Sequence, residues 1–226
     1  MSIFYRLFIP DLFPQYDKAI YIDSDTVVTD DIAKLYNTEL GNNLFGACTD
    51  SSIQYVDKMV KYIKDVLDLD PKKYINSGML VLNSKAFRDE GFIPHFMDLL
   101  EKYHFDCIAP DQDYLNEIGD GRILHLDPRW DAMPNENTEP LPNPGLIHYN
   151  LFFKPWHFDN VQYQDYFWKY AKETPFYEEL HAELDNYTDE ERTEDRAKLD
   201  HMLEKEDSTV AVSYTHLRAH ETSAHL

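Results

Sequence analysis

Two aspartates separated by one residue follow an apolar stretch near the start of the chain. The stretch from Ala19 to Ile22 predicts a buried strand, and Asp23 and Asp25 come directly after it. Open α/β sheets bind ligands just beyond the ends of their strands, and two carboxylates there suit a hard cation, which takes several oxygen ligands. Asp and Ser also favour turns. The spacing alone therefore leaves a metal site and a plain turn as equal alternatives.

A second group of candidate side chains lies near residue 150. His148 follows a short apolar run, and Lys154 precedes Pro155 and Trp156. An imidazole beside two carboxylates suits Mn²⁺ better than Ca²⁺, and a lysine offers the point charge that binds phosphate. Taken singly, a satisfied strand histidine and a surface lysine are the more ordinary interpretations.

These residues belong to a longer series of motifs. In chain order the motifs are Phe4-Tyr5-Arg6-Leu7, Leu35-Tyr36, Gly46-Ala47-Cys48-Thr49-Asp50, the stretch from Tyr74 to Asn83, the stretch from Pro110 to Asn116, and Lys154-Pro155-Trp156. The series resembles the retaining glycosyltransferases of family 8, which include bacterial lipopolysaccharide galactosyl- and glucosyltransferases and glycogenin. The resemblance covers roughly the first 175 residues, a length typical of one domain, and implies a GT-A-like catalytic domain over residues 1–175.

The resemblance implies a role for each candidate residue. Asp23, Asp25 and His148 would bind Mn²⁺, with Mg²⁺ as the alternative, and the ion would hold the diphosphate of a UDP-hexose. Lys154 would contact the same diphosphate, and Ser24 would contact the donor. The residues implied around the sugar are Asn76, Asp50, Asp111 and Gln112, the last two being the catalytic candidates. The implied acceptor is a saccharide or glycolipid.

Some of these polar residues have good structural explanations. Asp111 follows Pro110 and could cap the helix that begins there. Asn76, Ser77 and Gly78 could form only a turn. Asp113 is given no role.

The chain departs from the family pattern in two ways. Leu151 stands where many relatives carry glycine, and its side chain is expected to hold the loop further from the phosphate than bare backbone would. Family members also begin with strands that bind the nucleotide base, whereas here Asp23 follows closely after Met1. We therefore expect an N-terminally truncated enzyme that lacks these first strands, binds UDP-sugar weakly and has little transferase activity.

Composition indicates a globular chain and excludes two classes of partner. Apolar residues make up 43% of the chain and charged residues 28%, near the average for folded domains. The formal net charge of −21 argues against binding to nucleic acid and to anionic membrane surfaces. No apolar run is long enough for a transmembrane helix. Two cysteines in apolar settings indicate a cytoplasmic protein, and peripheral attachment of the full-length protein to the inner membrane is left open.

Strands and helices alternate along the chain. Predicted strands cover 18–22, 44–49, 79–82, 122–126 and 146–149, and predicted helices begin at Asp30-Asp31 and cover 53–69, 92–103 and 110–118. This order predicts an α/β fold, with a mostly parallel sheet and helices on both faces. Residues 127–144 form a long loop rich in Pro and Asn, which is a plausible lid.

The C-terminal part differs in character. The aromatic residues between 163 and 177 are predicted to pack on the domain, and residues 176–207 are predicted to form a solvated acidic helix with a capping box at Thr188. The end of the chain, 208–226, resembles translated sequencing adaptors and is expected to be non-native. His216 and His220 there also have the spacing of a helical zinc pair.

Two other classes of function compete with the transferase. Asp23-Ser24-Asp25-Thr26-Val27 also resembles the nucleophile motif of haloacid-dehalogenase phosphatases, in which Asp23 would attack phosphorus and Asp25 would act as acid and base. That hypothesis requires a further acidic pair after a strand and leaves His148 and Lys154 unexplained. The third class is a truncated, non-catalytic remnant that binds sugar nucleotides.

Overall fold

A four-stranded sheet supports the candidate residues. The computed structural model describes residues 2–103, 107–198 and 201. In chain order the strands are β1 (Ala19–Ile22), β2 (Thr26–Val28), β3 (Phe45–Thr49), β4 (Ile75–Leu82), β5 (Ile123–His125) and β6 (Leu146–His148). The main sheet has the order β1-β4-β3-β5, and β2 and β6 form a separate two-stranded sheet.

Helices connect most of these strands. They are α1 (Ile9–Leu12), α2 (Ile32–Tyr36), α3 (Asp57–Asp65), α4 (Ser84–Asp89), α5 (Phe92–Tyr103), α6 (Pro110–Gly119), α7 (Gln164–Ala171) and α8 (Tyr177–Asn186). Short 3₁₀ helices cover Ser2–Phe8 and Pro128–Asp131, and residues 189–198 are helical. Within the described ranges, no helix combines the length and the apolar character needed to cross a membrane.

The predicted α/β class, with helices on both faces of a mostly parallel sheet, is confirmed, because three of the four strands of the main sheet, β1, β3 and β5, run in the same direction. Strand β4 runs antiparallel to both β1 and β3, and only β3 and β5 pair in parallel. The reason lies in the connection between β3 and β4. Thr49 pairs with Ile75, so the chain leaves and re-enters the sheet at the same end, and α3 lies in an excursion and not in a crossover.

Strand β4 separates two hydrophobic clusters. Its side chains alternate in direction because successive residues of a strand point to opposite faces. Leu80 and Leu82 pack with aromatic residues of α4, α5 and α6 on one face, whereas Met79 and Val81 pack with Leu35 of α2 on the other. Every residue of β4 is buried. The strand therefore provides a rigid base for the polar residues at its N-terminal end.

The C-terminal segment consists of two helices where a single acidic helix was predicted. Helix α8 ends at Asn186, and Tyr187 has extended backbone geometry. The predicted capping box at Thr188 is present, because the Thr188 hydroxyl accepts from the Glu191 amide at 3.2 Å and Glu191 accepts from the Thr188 amide at 2.8 Å. Residues 208–226 lie outside the described residues. The division into domains at residues 175 and 207 remains a prediction.

Candidate active site

The two aspartates lie where β1 ends beside β4. The Asp23 amide donates to the Gly78 carbonyl at 2.7 Å, which extends the pairing of the strands by one residue. The chain then bends at Ser24, which is exposed, and the Thr26 hydroxyl donates to the Asp23 carbonyl at 2.9 Å. Strand β2 begins at Thr26, so the bend between two strands presents the carboxylates of Asp23 and Asp25 on the same side.

His148 meets these carboxylates through the pairing of β2 with β6. His148 lies opposite Thr26 in this ladder, and the Tyr149 amide donates to the Asp25 carbonyl at 2.9 Å. The Nε2 atom of His148 is 3.8 Å from Asp23 Oδ2 and 3.5 Å from Asp25 Oδ1. One ligand atom from each of the three residues lies within 4.8 Å of the others. The structure thus brings the three predicted ligands together, and their role as ligands remains a prediction.

Two further residues fix the orientation of the His148 ring. Asp131 Oδ1 is 3.0 Å from His148 Nδ1, and this pairing directs Nε2 toward the two aspartates. A Cβ atom added to Gly78 would lie 2.1 Å from His148 Cε1 and 2.9 Å from Asp23 Oδ2. Only glycine therefore leaves room for the ring at this position. Sequence reasoning missed Asp131, which lies in the loop predicted to be a lid.

The electrostatics of this cluster favour a cation. Burial alone would lower the pKa of His148, but hydrogen bonds to Asp131 and Asp25 raise it to about 10. A metal ion bound at Nε2 would have to displace the proton that these carboxylates hold on the ring, because a ligating histidine is deprotonated at that atom. Burial raises the pKa of Asp131 to about 6, although His148 opposes the shift. Three carboxylates surround one buried imidazole, which is 3% exposed. Two carboxylate oxygens and one imidazole nitrogen are a donor set that fits Mn²⁺, and the paired Nδ1 atom is the usual support of a metal-binding histidine.

Two basic side chains flank the carboxylates. Lys154 forms an ion pair with Asp25 and donates to the Tyr149 carbonyl, so it is not a free surface lysine. Burial opposes ionisation of Asp25, but His148 and Lys154 outweigh it and hold its pKa well below the ordinary value. The loop between His148 and Lys154 contains Leu151 with a φ of 57°. This is left-handed backbone, which disfavours side chains such as leucine.

Arg6 is the second basic residue and was not predicted as a site residue. Its guanidinium lies 3.1 Å from Asp23 Oδ1 and 3.1 Å from Asp111 Oδ2, and it donates to the Ser77 carbonyl at 2.7 Å. Its only sequence signal was its place in the Phe4-Tyr5-Arg6-Leu7 motif. Arg6 thereby links the cluster of Asp23, Asp25 and His148 to the polar residues of β4 and α6.

Those polar residues form one buried network. Asp50 Oδ2 accepts from Asn76 Nδ2 at 2.9 Å and from Gln112 Nε2 at 3.0 Å. Gln112 Oε1 accepts from the Ser77 amide at 3.0 Å. Asn76, Ser77 and Gly78 lie within β4, so the alternative of a simple turn is wrong. The network orients these polar groups at the sheet end, next to Asp23.

Helix α6 contributes Asp111 and Gln112 from its first turn. Asp111 does not cap the helix: the N-cap residue is Ala109, and Asp111 Oδ2 accepts from the Ser77 hydroxyl at 2.9 Å. Burial raises the pKa of Asp111 above its ordinary value, against the effect of Arg6. Asp113 is also buried and accepts from the hydroxyls of Tyr62 and Tyr74, which ties this helix to the excursion between β3 and β4.

The phosphatase hypothesis required a further acidic pair. Among the described residues, the one group of three or more Asp, Glu, His or Cys side chains close enough to hold a metal ion is Asp23, Asp25 and His148. This leaves a single cluster, at which a histidine and a lysine converge with the two aspartates. Such an arrangement can hold a divalent cation and a phosphate group side by side.

Comparison with known proteins agrees with this geometry. The family model described as glycosyl transferase family 8 matches residues 1–160. Glycosyltransferase GlyE of Streptococcus pneumoniae is 27% identical over 187 residues, which cover 74% of this chain and 40% of GlyE. The apo structure of the bifunctional glycosyltransferase WbbM is 28% identical, with a TM-score of 0.69 over 80% of this chain and 37% of that one.

The galactosyltransferase LgtC has a similar fold. Its complex with donor and acceptor sugar analogs superposes with a TM-score of 0.58 and 24% identity, over 84% of this chain and 69% of LgtC. Together with WbbM, this likeness confirms the predicted GT-A-like fold. The chain spans between 40% and 65% of the length of the first curated relatives that it matches.

Proposed function

The chain belongs to glycosyltransferase family 8, and from this membership we propose that it carries the donor site of an enzyme that transfers a hexose. The donor is a UDP-hexose, the acceptor is a saccharide or glycolipid, and the anomeric configuration is retained. The proposed ion is Mn²⁺, with Mg²⁺ as the alternative. Because the chain belongs to this family, the transferase is favoured over the phosphatase hypothesis. A cytoplasmic location remains a prediction.

The convergence of Asp23, Asp25 and His148 is the observation that carries this proposal. Mixed oxygen and nitrogen ligation suits Mn²⁺, whereas Ca²⁺ and Mg²⁺ prefer oxygen alone. These three side chains would hold the ion, with Asp131 fixing the histidine tautomer. When bound, the ion supplies a Lewis acid that stabilises the negative charge of a departing diphosphate.

Lys154 would provide a second positive charge for the diphosphate. Its ammonium group pairs with the Asp25 carboxylate. If Asp25 held a divalent cation, its charge would be offset, the Lys154 ion pair would weaken, and the Lys154 ammonium group could contact a phosphate oxygen. Stabilising the charge that grows on the leaving group is often the largest catalytic contribution.

The network of Asp50, Asn76, Asp111 and Gln112 would hold the transferred sugar. Both ends of the Gln112 amide are already hydrogen-bonded within the protein, to the Ser77 amide and to Asp50. An amide so held is a poor nucleophile but a well-oriented dipole. Retention is therefore best explained by attack of the acceptor on the face that the UDP leaves, while Asp111 and Gln112 orient the sugar.

Titration with UDP and Mn²⁺ followed by product analysis tests the proposal. The wild-type chain is expected to bind UDP only when Mn²⁺ is present, and Asp25→Ala is expected to abolish both Mn²⁺ and UDP binding in calorimetry. Where the whole protein transfers a hexose, NMR of the product is expected to show the anomer of the donor. UDP binding that is independent of Mn²⁺, or an inverted product, would contradict the proposal.

A further inference from the structure

The segment that follows Lys154 forms a tight turn. The Lys154 carbonyl accepts from the His157 amide at 3.0 Å and from the Phe158 amide at 2.9 Å. Since the turn is closed by two hydrogen bonds to the backbone of Lys154 itself, the position of Lys154 depends on where His157 and Phe158 are held.

His157 is held by the C-terminal helical pair, which we define as α8 and residues 189–198. The His157 ring stacks on the Tyr187 ring, with centroids 4.0 Å apart and planes 5° from parallel. Its Nε2 atom is 2.9 Å from Glu183 Oε1. The ring therefore contacts both α8 and the residue that joins the two helices of the pair.

Arg192 joins the same turn to the helical pair through its backbone. Its Nε donates to the His157 carbonyl at 3.0 Å. The two Nη atoms donate to the carbonyls of Tyr187 and Leu184, the latter at 3.3 Å. One guanidinium thus binds a carbonyl of α8, the carbonyl of the residue that follows α8, and a carbonyl of the Lys154 turn. The rigid fork of an arginine suits this multiple contact better than a lysine would.

A buried carboxylate, that of Asp195, contacts both the turn after Lys154 and the helical pair. Asp195 is 5% exposed and accepts from the Tyr187 hydroxyl at 2.6 Å. The same oxygen lies 3.7 Å from His157 Nδ1, and Lys198 donates to the other oxygen at 2.7 Å. Phe158 completes the contact, with the Arg196 guanidinium 5.3 Å above its ring. The predicted acidic helix is therefore not wholly solvated, because one of its faces docks on the turn.

We propose that the C-terminal helical pair positions Lys154 for the donor diphosphate, with Arg192 and Tyr187 as the positioning residues. The inference rests on the proposed function, in which Lys154 contacts the diphosphate. The family model matches only residues 1–160, so this support comes from a part of the chain beyond the matched region. Arg192 and Tyr187 are not among the residues proposed to contact substrate, and they act through the turn that carries the lysine.

A double-mutant cycle with UDP as the probe tests the proposal. Titrations at saturating Mn²⁺ compare the wild type with Arg192→Gln, Lys154→Ala and the double variant. Arg192→Gln is expected to weaken UDP binding about twofold to thirtyfold, the usual range for residues that act on a site through others. The affinity for Mn²⁺ alone is expected to stay unchanged. In the Lys154→Ala background, Arg192→Gln is expected to cause no further loss.

Arg122→Gln is the matched control, because the Arg122 guanidinium likewise binds a backbone carbonyl, that of Asn42, and it pairs with the Glu90 carboxylate away from the turn. It is expected to leave UDP binding unchanged. If Arg192→Gln unfolds the chain, Arg192→Lys keeps the charge but removes the fork, and the same coupling is expected at smaller size. The positioning role would be overturned if Arg192→Gln weakened UDP binding equally with Lys154 present and in the Lys154→Ala variant, or did not weaken it at all. Either result would leave the proposed function standing. A wild type that fails to bind UDP would overturn the proposed function together with the positioning role.

Discussion

Gly78 provides the sharpest test of the geometry around His148. In a Gly78→Ala variant the new Cβ would lie 2.1 Å from His148 Cε1 and 2.8 Å from its Nδ1. Carbon atoms pack best at about 3.5–4 Å, so the ring would have to retreat by roughly 1.4 Å or more. It has little room to do so, because the ring is buried and Asp131 holds Nδ1 at 3.0 Å.

The expected magnitude follows from this overlap. Forcing a methyl group into a packed region costs about 1–3 kcal/mol of folding free energy. A displacement of more than 1 Å would also remove His148 from ligation. Losing the support of a metal ligand typically costs 10- to 100-fold in metal affinity, so losing the ligand itself is expected to cost Gly78→Ala at least about 100-fold.

Gly46→Ala is the matched control. Gly46 lies in β3 of the same sheet, and its added Cβ would meet Leu126 Cδ2 and Leu40 Cδ2, each at 3.2 Å. These are the movable ends of flexible side chains. Gly46→Ala is therefore expected to bind Mn²⁺ within about twofold of the wild type, a difference well below 1 kcal/mol.

Calorimetric titration with Mn²⁺ and urea unfolding measure both quantities on each variant. The reasoning is refuted if Gly78→Ala folds and binds Mn²⁺ as tightly as the wild type. That result would mean that His148 is free to move or is not a ligand.

Three further predictions concern residues around the site. Asp131→Ala is expected to weaken Mn²⁺ binding about 10- to 100-fold. Asp131→Asn is expected to weaken it less, because an amide oxygen can still accept a hydrogen bond from His148 Nδ1. If both variants bound Mn²⁺ as tightly as the wild type in calorimetry, Asp131 would not orient the His148 ring. Burial raises the pKa of Asp113 to about 6 against its hydrogen bonds, so the native state binds the extra proton and stability falls as pH rises from about 4 to 6. Asp113→Asn is expected to flatten the dependence of the free energy of unfolding on pH, measured by urea unfolding. An unchanged dependence would show that Asp113 is not the residue that causes it. Leu151→Gly is expected to relieve roughly 1–2 kcal/mol of left-handed backbone strain in the folded state. The glycine also makes the unfolded chain more flexible, which stabilises the unfolded state by about 0.4–1 kcal/mol, so we expect an unchanged or slightly higher free energy of unfolding. A loss above about 2 kcal/mol would show that packing of the leucine side chain dominates.

Elements with strong local signals were predicted well. Helix α5 has the predicted bounds, Phe92–Tyr103. Helix α2 begins after Asp31, whose side chain accepts from the Ala33 amide at 2.9 Å as an N-cap. Apolar runs and caps act within a few residues, so they can be read directly from the sequence.

Helix α3 shows how such a signal can mislead. The apolar pattern predicted a helix over 53–69, but the helix covers only Asp57–Asp65. Asp68 takes a φ of 56°, and the Leu69 amide donates back to the Ile63 carbonyl at 3.1 Å, which ends the helix. Leu67 and Leu69 still pack on the same cluster as α3, so the apolar periodicity continues beyond the helical backbone.

The parts of the site that depend on distant contacts could not be predicted from the residues alone. Strand β2 is three residues long and exists through its pairing with β6. Arg6 and Asp131 find their partners, Asp111 and His148, in other elements of the fold. An isolated arginine or aspartate carries no local pattern, whereas the resemblance to a family supplied the positions of the three expected ligands.

Electron–nuclear double resonance of Mn²⁺ bound to the chain in the presence of UDP tests the central claim most directly. The claim is that Asp23, Asp25 and His148 hold the ion against the donor diphosphate. The account predicts a nitrogen coupling from the imidazole, absent in His148→Ala, together with phosphorus couplings from UDP. A Mn²⁺ spectrum with phosphorus couplings but no nitrogen coupling, or one unchanged in His148→Ala, would contradict it.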